Sequence, residues 1–221
     1  MITSPNFDDR LSSTPIDMLV IHYTGMKSAK AALDRLCDPQ AKVSAHYVID
    51  EDGDVIPLVD ESKRAWHAGI ASWRGKSDIN ARSVGVELVN PGHDFGYQNF
   101  PKSQMAALID LLLGILSRHS IPARNVVGHS DVAPSRKIDP GERFDWAGLA
   151  AEGIGLWPHE ADIGNKTLDI TAMLLEYGYD VTIPAFAITA FQRHFHPETV
   201  NKIVDFKTLG RLKRLIELSN A

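Results

Sequence analysis

Hydrophobic and polar positions alternate with two periods along this chain, and the changes of period mark its elements. Residues 17–22, DMLVIH, are an apolar run closing on a histidine, which predicts a buried strand delivering His22 to a sheet edge. Residues 28–37 are rich in Ala and Leu and predict a short helix. Residues 44–50 and 54–59 flank Glu51-Asp52-Gly53, a hairpin pattern in which Gly53 supplies the positive φ. In 83–89, SVGVELV, the strand period puts Val84, Val86 and Leu88 on one face and Glu87 on the other. From 101 to about 118, Met105, Leu108, Ile109, Leu112, Ile115 and Leu116 recur at helical spacing behind Pro101. Residues 125–129, NVVGH, predict another short strand ending in a histidine, His129. Strands interleaved with helices imply the α/β class around one central sheet.

The pattern then changes. Residues 151–166 carry Gly153, Gly155, Pro158 and Gly164 and predict a linker. Beyond it, 168–177, 185–195 and 205–218 predict short helices, punctuated by Gly178 and Pro184. The expected organisation is a main domain over 1–150, a linker over 151–166 and a small three-helix satellite over 167–221.

Composition narrows the function. A 44% hydrophobic and 23% charged chain of 221 residues can bury a sizeable core. The net charge of -5 argues against nucleic acid as a partner, because phosphate binding shows as a basic excess. Cys37 is the lone cysteine, so an intramolecular disulfide is excluded and a buried structural thiol is expected. No apolar run reaches membrane-spanning length. The first residues show no basic start followed by an apolar stretch, so the expected location is the cytoplasm, with the periplasm or cell envelope as the alternative.

Candidate chemistry comes from the strand ends. Metal-assisted hydrolysis needs three protein ligands and one open position, and imidazole and carboxylate are suitable donors. His22 and His129 stand at predicted strand ends. Asp139 follows His129 by ten residues in SRKIDPG, where Pro140 and Gly141 can turn the loop back. Spacing alone leaves two readings open, a metal site or separate hydrogen-bonded histidines.

Five ordered segments, IHYTG, VSAHYVIDEDG, AWHAG, SVGVELVN and GHSDVAPSRKIDPG, resemble the type-2 N-acetylmuramoyl-L-alanine amidases of the AmpD type. The resemblance covers about residues 15–150. It implies a central mixed sheet flanked by helices, zinc ligands at His22, His129 and Asp139, a catalytic glutamate at Glu87 and an oxyanion-stabilising lysine at Lys137. Related branches place a tyrosine where this chain has Ala45, which leaves the general-base role to Glu87. His46, Tyr47, Trp73 and Asn80 are the expected substrate contacts, and structural roles are the competing reading for His46 and Tyr47. Trp66 and His67 lie in the same loop-rich stretch, where a substrate wall and core packing compete. Asp78 stands where AmpD-type enzymes often carry an arginine.

The later helices resemble the peptidoglycan-binding type 1 module, with Ala190, Phe191, Gln192, Arg193 and Phe195 in its second helix. This copy lacks the module's glycine-rich loop, so packing on the main domain is the alternative to wall binding. The basic residues within 211–214 predict a solvated helix face. The function implied is zinc-dependent cleavage of the amide joining N-acetylmuramic acid, or its anhydro form, to L-alanine of the stem peptide. The rival is a peptidoglycan-binding protein without catalysis. The expected partner is peptidoglycan or a muropeptide, and the expected chain is a monomer.

Overall fold

The computed structural model describes residues 2–11, 13–161 and 167–220. Its strands are β1 (Phe7–Asp9), β2 (Met18–Tyr23), β3 (Tyr47–Ile49), β4 (Val55–Pro57), β5 (Lys63–Ala65), β6 (Ser83–Leu88) and β7 (Val126–Gly128). Its helices are α1 (Ala29–Cys37), α2 (Ile79–Arg82), α3 (Gly92–Phe95), α4 (Lys102–Arg118), α5 (His129–Val132), α6 (Trp146–Ala151), α7 (Ile170–Tyr177), α8 (Pro184–Phe195) and α9 (Phe206–Asn220). The central sheet runs β4-β3-β6-β2-β7. β3, β6, β2 and β7 are parallel and β4 is antiparallel at one edge, so the sheet is mixed, as the resemblance implies.

The uninterrupted apolar run of β2 has a physical reason. Leu19 and Ile21 pack under α4 with Leu108, Leu112 and Ile115. Met18 and Val20 point the other way, into a cluster with Trp73, Leu174 and Phe191. Both faces of the strand are therefore dry, and each fully buried aliphatic side chain contributes roughly 1.5–3 kcal/mol. The second cluster extends unbroken from the sheet into α7, α8 and α9, so these helices share a core with the strands rather than standing off as a satellite.

Several elements differ from expectation. β1 pairs with β5 outside the main sheet, a pairing hidden in the sequence because Asp8 and Asp9 interrupt the apolar pattern. The strand before His129 stops at Gly128, whose N–H is captured by the Asp131 carboxylate, and His129 opens α5. α6 runs to Ala151 and Ile154 is buried, so the expected linker begins later than 151; its residues 162–166 lie outside the described residues. Arg211 is buried rather than solvated, because it donates to the Phe195 carbonyl and lies over the Trp157 ring. Cys37 is half-buried rather than sequestered. No described helix is long and apolar enough to cross a membrane.

Trp73 is wholly buried, its ring edge-on to Tyr177 and Tyr179, and its indole N–H donates to Asn125 Oδ1. It is a core residue, not a substrate wall. Trp73→Ala is expected to lower unfolding free energy by about 3–5 kcal/mol. Chemical denaturation measures this, and an unchanged midpoint would contradict the shared core.

Candidate metal centre

The three expected ligands sit where parallel strands end, the usual place for a site in an open α/β sheet. β2 carries His22 and β6 carries Glu87, directly opposite each other in register. β7 leads into His129. The loop after α5 returns Asp139 to the same point, and the Asp139 carbonyl accepts from the Ser130 N–H. His22 Nδ1, His129 Nδ1 and Asp139 Oδ2 stand 3.0–3.1 Å from one another. All three residues are buried.

Proton positions decide what this triad can do. His129 Nε2 faces the Ala68 carbonyl at 3.0 Å and must donate to it, which leaves Nδ1 as a bare lone pair. For His22 the constraint is relayed. The Ser83 hydroxyl donates to the Ile79 carbonyl at 2.7 Å, so its oxygen accepts from His67 Nε2 at 3.1 Å. His67 Nδ1 then accepts from His22 Nε2 at 3.1 Å, and His22 Nδ1 is bare as well. Burial pushes His22 down to about 4, so its ring is neutral at pH 7. Two imidazole lone pairs and a carboxylate oxygen converging at van der Waals range repel one another unless a cation sits among them. The donor set fits a metal ion.

The site opens into a cavity of about 430 Å3 lined by Glu87, Lys137, Trp66, Tyr23 and Arg35 among others. Glu87 Oε2 is buried with no hydrogen-bond partner among the described residues. Burial, then the Asp139 charge, pushes Glu87 up to about 8, with Lys137 opposing. Lys137 has no side-chain hydrogen bond or ion pair among the described residues and lines the same cavity. The structure therefore brings together His22, His129, Asp139, Glu87 and Lys137.

The other expected contacts are placed elsewhere. His46 is fully buried, its Nδ1 accepting the Gly85 N–H and its Nε2 against the Lys63 carbonyl. Tyr47 points away from the triad and donates to Glu61. Asn80 is buried, and its Oδ1 accepts the N–H groups of His67 and Ala68. None of the four expected contacts lines the cavity. Asn80 has a different use: it fixes the two residues whose ring and carbonyl stand behind His22 and His129. Asp78 is likewise engaged, accepting from Arg64.

His67 and Ser83 have roles that spacing did not reveal. The trace in the sequence is Gly85, where an added Cβ would overlap the His67 ring. The glycine of the SVGVE strand keeps room for the imidazole that orients His22. His67→Phe, which keeps a ring but offers His22 no acceptor, is expected to weaken metal binding about 10–100-fold. Competition against a chromophoric chelator measures this; wild-type affinity would remove His67 from the site.

Residues 12–142 match the model of the family described as N-acetylmuramoyl-L-alanine amidase. The N-acetylmuramoyl-L-alanine amidase AmiD of Escherichia coli K12 is 36% identical, over 91% of this chain and 83% of that protein. The structure of E. coli AmiD in complex with anhydro-N-acetylmuramic acid-L-Ala-D-gamma-Glu-L-Lys superposes with TM-score 0.83, covering 94% of this chain and 91% of that one. AmpDh3 of Pseudomonas aeruginosa, 32% identical, gives TM-score 0.82 over 93% of each chain. The 1,6-anhydro-N-acetylmuramyl-L-alanine amidase AmpD of Citrobacter freundii is 34% identical, over 68% of this chain and 87% of that protein. The chain belongs to the N-acetylmuramoyl-L-alanine amidase family.

Proposed function

We propose that this protein is a zinc-dependent amidase that cleaves between anhydro-N-acetylmuramic acid and the L-alanine of a soluble muropeptide. The observation that carries this reading is Glu87, whose buried Oε2 has no hydrogen-bond partner among the described residues, in register with His22 of a two-histidine, one-aspartate triad. Nδ1 of His22, Nδ1 of His129 and a carboxylate oxygen of Asp139 would hold zinc, a donor set usual for hydrolytic zinc. When bound, zinc would supply a Lewis acid that activates water and polarises the scissile carbonyl.

The chain's own residues do the rest. In its ionised form, which the Lys137 ammonium favours against burial and the Asp139 charge, Glu87 takes the proton of the attacking water and passes it to the departing alanine nitrogen. The Lys137 ammonium faces the oxyanion that develops on the carbonyl oxygen. His22 and His129 are each fixed in one tautomer by the acceptor behind the ring. The substrate form is supported by the anhydro-muropeptide in the AmiD complex and by the name of the AmpD relative.

The resemblance to a wall-binding module rests on residues that are largely turned inward here. Ala190, Phe191, Gln192 and Phe195 are buried, so they present no surface to a glycan strand.

Glu87→Gln is expected to lower turnover about 10²–10⁴-fold while zinc stays bound. Mass spectrometry of products from anhydro-muropeptide and from intact sacculi, assayed side by side, checks both bond and substrate form. Free peptide beginning with L-alanine is the expected product. Tight binding with no cleavage by the zinc-loaded wild type would instead support the non-catalytic reading.

A further inference from the structure

Asp131, two residues after ligand His129, is 1% exposed and accepts three hydrogen bonds. One comes from its own turn, the Gly128 N–H to Oδ2 at 2.7 Å. The other two come from the C-terminal helices: the Tyr179 hydroxyl to Oδ1 at 2.7 Å and His194 Nδ1 to Oδ2 at 2.7 Å. A buried carboxylate is tolerated only when its oxygens are well supplied with donors. Here most of the supply crosses from residues 48 and 63 positions downstream.

The second ligand turn is approached by the neighbouring side chain. Arg193 Nε stands 3.8 Å from Glu142 Oε2, and Glu142 follows Asp139-Pro140-Gly141. Glu142 also faces His93 Nε2 at 3.2 Å. The His194 ring is clamped by stacking on Trp146, with centroids 3.8 Å apart. So consecutive residues of α8 reach the segments that follow ligands His129 and Asp139.

We propose that the C-terminal helices are a brace for the metal centre: Tyr179 and His194, through Asp131, and Arg193, through Glu142, hold the turns presenting His129 and Asp139. These are positioning residues, because none of them lines the cavity. The hydrogen bonds fix where α5 starts, and therefore where His129 Nδ1 points. The proposal rests on the zinc reading above.

The test uses the full chain and zinc alone, with affinity measured by chelator competition and metal-free thermal unfolding measured in parallel. His194→Phe keeps the stacked ring and removes the donor. His194→Asn returns an N–H close to the Nδ1 position. Tyr179→Phe removes only the hydroxyl. The expected result is zinc affinity about 10-fold or more below wild type in His194→Phe and Tyr179→Phe, with His194→Asn recovering most of it. Unchanged affinity in both Phe variants, whatever their melting temperature, would overturn the brace. Equal losses in His194→Phe and His194→Asn would also overturn it, since packing rather than the hydrogen bond would then matter. A wild type that takes up no zinc would defeat the metal reading itself, and the brace with it.

Discussion

Three electron-rich atoms held about 3 Å apart are an unstable arrangement by themselves, and much of this structure serves to impose it. Each imidazole has its rear nitrogen committed to an acceptor, so its front nitrogen has no proton to give. For His129 the acceptor is a carbonyl; for His22 it is a second imidazole held by a serine. Asn80 pins the backbone from which both acceptors project. The parallel sheet supplies the remaining constraint by ending β2, β6 and β7 side by side. The outcome is a preorganised donor set that fits a cation, beside Glu87, whose buried Oε2 has no hydrogen-bond partner among the described residues.

The same logic joins the two parts of the chain. One face of β2 would be exposed without the C-terminal helices, because Met18 and Val20 share their cluster with Leu174 and Phe191. The polar links run with the apolar ones: Tyr179 and His194 reach Asp131 through that shared core. A helix whose pattern resembles a wall-binding element thus spends its aromatic and polar residues inward.

Much of the site was legible because its residues occupy strand ends. Apolar runs that stop at His22 and His129 announce where the sheet opens, and alternation along 83–89 separates Glu87 from Val84, Val86 and Leu88. The ordered motifs then single out Asp139 and Lys137. The misplaced residues share a different cause. A polar residue within a motif can serve the backbone instead of the substrate, as Asn80 and His46 do. Trp73 looks like a loop aromatic until α7 and α8 arrive from a hundred residues downstream to cover it. Arg211 reads as a surface cation because its partner carbonyl, Phe195, belongs to another helix. Hydrophobic period reports burial within one element; it is silent on which distant element does the burying.

The most direct measurement is a crystal structure of the zinc-loaded protein with anomalous differences collected across the zinc edge. The account requires one strong peak bound by Nδ1 of His22, Nδ1 of His129 and a carboxylate oxygen of Asp139, at about 2.0–2.2 Å. Ligation through Nε2 of either histidine, or a peak away from these three residues, would contradict it.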